Sequence, residues 1–207
     1  MVPKLQIIRH PSAPDVLETD VSNLLEKEKN IVAVGRWWAH QKNTPLLIAV
    51  LVEALKANQE YEAHLIGSGS EVLIRLLGDA PVAVRNRIYI HGPIVHPEVV
   101  DFFKKSRICL LTSRYESGPL VASEALCCGC SFFAQDNGGV PLKAIRRIDA
   151  GGGVDGNVRK LVRGLLQEME RWDRGEYDPT RIAELAREVF SYKQVASEVQ
   201  SFFMDGN

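Results

Sequence analysis

The sequence has no long apolar run. Its longest uninterrupted apolar stretch, Leu46 to Val52, is seven residues, against the roughly 20 that a membrane-spanning helix needs. The opening stretch MVPKLQIIRHPSAPD carries no charged-then-apolar export signal, so a cytoplasmic location is expected. Charge of one sign is also missing: 25 Lys and Arg stand against 26 Asp and Glu, a formal net charge of −1. That balance excludes a globally basic nucleic-acid binder and leaves room for a local cationic site. Cysteine is scarce. Of four, three crowd together as Cys127, Cys128 and Cys130. This spacing suits neither a disulfide framework nor zinc, which usually takes two separated ligand pairs. Buried thiols are expected instead, and no metal.

What is present suits one large folded domain: 207 residues, 45% hydrophobic and 25% charged, enough to bury a sizeable core. Residues 1–29 are poor in regular signal. Pro3, Pro11 and Pro14 punctuate them, a short charged helix fits Val21 to Lys29, and the segment reads as a lead-in or linker. From residue 30 the pattern becomes regular. Ile31–Val34, Tyr61–Ile66, Arg87–Ile90, Arg107–Leu111 and Ser131–Ala134 are short, largely apolar runs, the mark of strands buried on both faces. Helices are expected between them: Pro45–Asn58 behind a Thr44 N-cap, Glu71–Leu77, His96–Lys105, Leu120–Cys127, and a short one after Val140-Pro141 through Ile145. Gly151 to Gly153 reads as a break. Three helices follow, Val158–Trp172, Thr180–Phe190 and Lys193–Phe203. The fold class is α/β: a Rossmann-like parallel sheet with helices on both faces and a C-terminal helical tail, occupying residues 30–207.

In such sheets ligands bind outside the carboxyl ends of the strands. The loops that matter are therefore Gly35-Arg36, Gly67 to Gly69, His91 to Pro93, Thr112 to Gly118 and Asp136 to Gly139. Gly67-x-Gly69 lacks the third glycine of a dinucleotide fingerprint and does not follow the first strand, which argues against a nicotinamide cofactor. Arg36 directly follows a strand and Lys42 precedes a helix. Both could face a phosphate, or both could be solvated surface cations. Ser113 to Glu124 is the most informative segment. Glu116 lies in its loop, and Glu124 within the next helix, on a surface of Val, Ala and Leu. A carboxylate placed there needs solvent or a partner. The helix start between them can hold an anion. Phosphate at the helix start and diols at the carboxylates would suit a diphosphate flanked by a ribose and a hexose. The bland alternative is a solvent-facing Glu124 with Glu116 as a cap.

These pieces, in order, resemble the C-terminal half of a family 4 retaining glycosyltransferase with the GT-B fold. Val34-Gly35-Arg36 with Lys42 resembles its G-R…K phosphate loop, and His64 to Gly69 its second strand and glycine turn. Arg107 through Gly129 resembles the strand, E-x7-E segment and following E-A-x-x-x-G. Asn137 to Pro141 resembles its G-G-[IV]-P turn, and Phe190-Ser191-Tyr192 its F-S-[WY] step. The match covers about residues 30 to 203. The resemblance implies that Arg36 and Lys42 bind the donor diphosphate and stabilise charge on the leaving group. It implies that Glu116 contacts the donor sugar, with these three as the catalytic set. Glu124 would hold the ribose hydroxyls. Backbone around Gly35, Gly118, Leu120 and Val121 would meet the phosphates or sugar, and Gly92-Pro93 would lie near the base. The donor would be a UDP- or GDP-linked sugar, with no metal or other cofactor.

The chain departs from the family pattern at the Trp37-Trp38 pair in a lengthened loop, at Gly118-Pro119, and at Leu142. Core or lid packing is expected of the tryptophans, packing of at least one. GT-B enzymes are roughly twice this length, so the resemblance implies an acceptor-binding N-terminal domain from the same gene or a partner chain. It also implies little transfer by this half alone, and peripheral membrane association if the acceptor is lipid-linked. Competing readings are a nucleotide-sugar-binding regulatory module without transfer activity, a nucleotide-sugar epimerase on the same scaffold, and a purely structural interaction domain.

Overall fold

The computed structural model describes residues 10–21, 24, 27–139 and 142–204. A short helix α1 (Pro14–Leu17) precedes β1 (Glu28–Val34). Then come α2 (Thr44–Ala57), β2 (Glu62–Ile66), α3 (Ser70–Leu77), α4 (Val82–Arg85), β3 (Ile88–Gly92) and α5 (His96–Lys105). The second half holds β4 (Ser106–Leu111), α6 (Leu120–Cys127), β5 (Ser131–Gln135), α7 (Leu142–Ile148), β6 (Gly151–Val154), α8 (Val158–Asp173), α9 (Pro179–Val189) and α10 (Tyr192–Met204).

The strands form one sheet in the order β3-β2-β1-β4-β5-β6, and every pair is parallel. Ile31, Val32, Ile108, Cys109 and Phe132 are fully buried along its centre, because helices cover both faces. Helices α2, α3 and α8 pack on one side. On the other, α5 packs against α6, and α6 against α1 and α9. Helix α8 shows why it docks: Leu161, Gly164, Leu165, Glu168, Met169 and Trp172 are buried, a stripe at spacings of three and four. Each fully buried aliphatic or aromatic side chain contributes about 1.5–3 kcal/mol.

Most expected elements are found within two residues of their bounds, apart from β1, which begins three residues early at Glu28, and α7, which runs on to Ile148. Three differences have physical causes. The helix expected over Val21 to Lys29 is not formed where the chain is described: Val21, Leu24 and Lys27 are non-helical and Glu28 begins β1, while 22, 23, 25 and 26 lie outside the described residues. Lys27 is buried, and its ammonium donates to the carbonyls of Phe103, Lys104, Ser106 and Cys128 at 2.9–3.0 Å. These include the last carbonyls of α5, which lack helical partners. Anchoring there, and the pairing of Glu28 with Ser106, override local helix propensity.

The break expected at Gly151 to Gly153 is instead the edge strand β6, paired with β5 from Phe132↔Gly151 to Gln135↔Val154. Gly151 has φ +116°, and a Cβ there would stand 2.3 Å from the Phe132 carbonyl oxygen. Glycine lets this strand form; it does not interrupt it. The N-cap of α2 is Asn43 in the left-handed region (φ 50°, ψ 47°), while the Thr44 hydroxyl donates to the Trp37 carbonyl at 2.6 Å. Helices α1 and α4 lack a sequence signal strong enough to anticipate. The turn at Val140-Pro141 lies outside the described residues.

All four cysteines are free and buried. Burial pushes their thiols up, that of Cys127 to about 12, so they are inert packing groups.

Candidate functional site

The order of strands reverses between β1 and β4, and the crevice outside such a switch point is where α/β sheets hold ligands. A cleft of about 530 Å³ opens there, between the loops that follow these two strands.

The β1 loop is pinned from below. Gly35 N–H donates to the Ile66 carbonyl at 3.0 Å and Trp37 N–H to the Ser68 carbonyl at 2.8 Å. Trp37 is buried as the anchor. Trp38 is exposed, and the Arg36 guanidinium lies 5.8 Å from the centre of its ring, a cation–π contact. Among the described residues, Arg36 has no ion pair, so its charge faces the cleft uncompensated.

The β4 loop forms the facing wall. Arg114 N–H donates to the Gln41 carbonyl at 2.8 Å, tying the two loops together. Lys42 Nζ donates to Glu116 Oε1 at 2.8 Å, with side chains 15% and 7% exposed. Gln41 Nε2 donates to Glu116 Oε2 at 3.2 Å and to the Tyr115 carbonyl at 3.1 Å. Both carboxylate oxygens are thus held. Gly139 supports this loop from behind: a Cβ on it would come within 1.6 Å of the Glu116 carbonyl oxygen, so only glycine permits the approach.

Eight of the ten residues expected from sequence line the cleft. Gly35, Arg36 and Lys42 form one wall, Pro93 the side nearest β3, and Glu116, Gly118, Leu120 and Val121 the other wall at the start of α6. Gly92 stands just behind Pro93, and its carbonyl accepts from Gly67 N–H at 2.7 Å. Glu124 also lies outside the lining, one turn beyond Leu120 and Val121. It is 14% exposed and partnered: His96 Nε2 lies 3.1 Å from its Oε1. His96 Nδ1 in turn lies 2.9 Å from Asp15 Oδ2.

Three contributors escaped the sequence reading. Gln41 sits in a loop already marked, next to Lys42, and its amide was the available signal. His96 opens an expected helix, and Asp15 belongs to the supposed lead-in; no spacing rule connects positions 15, 96 and 124. Among the described residues, no group of three or more His, Cys, Asp or Glu could hold a metal ion, and no helix is long and apolar enough to cross a membrane.

A parallel sheet in this order, helices on both faces and a cleft at the switch point define a Rossmann-like domain, the architecture of one half of a GT-B glycosyltransferase. Residues 28–170 match the family described as "Glycosyl transferases group 1", and the chain belongs to that family. It is similar to the D-inositol 3-phosphate glycosyltransferase 1 of Catenulispora acidiphila, 29% identical over 106 residues, which are 51% of this chain and 20% of that protein. Among solved structures, the apo lipopolysaccharide outer core galactosyltransferase WaaB aligns with TM-score 0.73 and 20% identity, over 98% of this chain and 53% of its own. A TarM variant from S. aureus, solved with fondaparinux, alpha-GlcNAc-glycerol and UDP, aligns with TM-score 0.67 and 18% identity, over 96% of this chain and 37% of its own. The chain thus spans a fifth of that curated relative and between a third and just over half of these structures.

Proposed function

We propose that the cleft binds a nucleoside diphosphate sugar, UDP- or GDP-linked, as the donor half of a retaining hexosyltransferase of glycosyltransferase family 4. The observation that carries this reading is the convergence of Arg36, the Lys42–Glu116 pair and the start of α6 on one cleft at the switch point. In it, Arg36 and Lys42 hold the diphosphate together with the first-turn backbone of α6, whose dipole favours an anion. Positive charge fixed there stabilises the departing nucleoside diphosphate without a metal. Glu116, oriented by Lys42 and Gln41, accepts from hydroxyls of the donor sugar. Glu124 accepts from the ribose, and Gly92-Pro93 flanks the base.

The acceptor, a glycan, a lipid-linked sugar or a small molecule, enters from the open side of the cleft. Its binding surface belongs to residues or a partner chain beyond these 207, so this half alone transfers poorly. An acceptor anchored in lipid would bring the whole enzyme to a membrane surface in the cytoplasm. The similarity of the chain to structures such as TarM, solved with UDP, supports the choice of donor class. Calorimetric titration with UDP, GDP and their sugars tests it. Saturable binding of one nucleoside diphosphate, weakened by Arg36→Ala, is expected; no binding of any of them overturns the reading.

A further inference from the structure

Glu124 has a partner to which nothing so far gives a role. The imidazole of His96, at the start of α5, lies between two carboxylates: Nε2 is 3.1 Å from Glu124 Oε1, and Nδ1 is 2.9 Å from Asp15 Oδ2. A neutral imidazole has a single N–H and donates to one acceptor only. Both contacts together therefore require the imidazolium. The charged groups facing it are Asp15 from α1 and Glu124 from α6. Burial opposes its protonation, but hydrogen bonds to the two carboxylates outweigh that and raise its pKa above 6.5. The same contact lowers that of Asp15.

Asp15 is not on a loose strap. Val16 beside it is fully buried. Ser12 N–H donates to the Phe190 carbonyl at 3.0 Å, and Arg187 Nη2 donates to the carbonyls of Val16 and Thr19 at 3.2 and 2.8 Å. The segment also reaches the cleft: the His10 ring lies 3.6 Å from where a Cβ on Gly118 would stand.

We propose that His96 and Asp15 are positioning residues of the donor site. Asp15 anchors the His96 ring in its charged form, and His96 fixes Glu124 through Oε1, leaving Oε2 to accept from ribose hydroxyls. This rests on the reading of Glu124 as the ribose-binding carboxylate. The imidazolium is present below the raised pKa. As pH rises through it, the neutral ring releases one carboxylate, and ribose recognition weakens.

The test is calorimetric titration of the 207-residue chain with UDP and GDP, and with the 2′-deoxy form of whichever binds, from about pH 5.5 to 8.5 around the histidine range. Melting temperature is recorded at each pH to verify folding. Wild type is expected to prefer the ribose form by about tenfold, the scale of one charge-assisted hydrogen bond. His96→Ala is expected to lose most of that preference together with its pH dependence. His96→Gln, which can donate to Glu124 without charge, keeps part of the preference but not the pH dependence. Asp15→Asn moves the midpoint of the profile, and the His96 titration followed by NMR, to lower pH. If wild type binds neither nucleotide, the donor-site reading falls and this proposal with it. If wild type prefers the ribose form and the folded His96 and Asp15 variants keep its preference and profile, the positioning proposal alone is overturned.

Discussion

Lys42 Nζ lies 2.8 Å from Glu116 Oε1 and joins the loops after β1 and β4 through two side chains that are nearly buried. Each charge was expected from sequence to face a ligand; the structure makes each the other's partner. Pairing lets both be withdrawn from water, since either alone would carry a large desolvation penalty. Lys42→Ala is therefore expected to weaken both the fold and donor binding. Urea unfolding should show a loss of about 1–3 kcal/mol, the cost of a buried group left without its partner. The double variant Lys42→Met with Glu116→Gln should recover part of that stability but none of the binding.

Arg36 separates these two effects. It is exposed and, among the described residues, has no ion pair. Arg36→Ala should change stability by no more than about 0.5 kcal/mol, as is usual for surface positions. Nucleoside diphosphate affinity should fall about tenfold or more, because a guanidinium–phosphate contact is charge-assisted. Thermal melting and calorimetry on the same sample check both halves.

Gly139 acts through backbone alone. A methyl group in Gly139→Ala would overlap the Glu116 carbonyl oxygen, so the loop carrying Glu116 must shift. Affinity for the donor sugar nucleotide should fall by more than affinity for the nucleoside diphosphate alone, since Glu116 is assigned to the sugar. Paired titrations with UDP and UDP-sugar, or their GDP counterparts, measure that difference.

Lys27 is the structural counterpart of the cleft cations. Its ammonium serves four carbonyls, and burial lowers its pKa. Lys27→Met keeps the aliphatic stem but strands those acceptors. A loss of about 3 kcal/mol or more in chemical denaturation is expected at neutral pH, with any residual nucleotide affinity unchanged in the folded fraction.

The centre of the sheet was legible because strands β1 and β4 are apolar on both faces. Ile31 to Val34 or Ile108 to Leu111 cannot be read as half-exposed strands. Helix α8 was legible from the spacing of Leu161, Leu165, Met169 and Trp172. Strand β6 was not, because Gly151 to Gly153 carry no side chains, and hydrophobic pattern is a property of side chains. In the site, Arg36, Lys42, Glu116 and the start of α6 were found from their place after strands. Gln41, His96 and Asp15 were not, since their importance lies in whom they touch.

By itself, then, the sequence determined the class of fold and the loops that could bind a ligand. Periodicity and strand-to-loop position are local, and local physics dictates them. Tertiary structure alone decided that the order of strands reverses between β1 and β4 and that Lys42 and Glu116 are partners. It also decided that Lys27 leads into a strand, and that Asp15 reaches His96 across 81 residues and Glu124 beyond it. Those outcomes depend on which surfaces meet when the helices close over the sheet. There the cost of leaving a buried charge or carbonyl unpaired chooses the partner, whatever the distance along the chain.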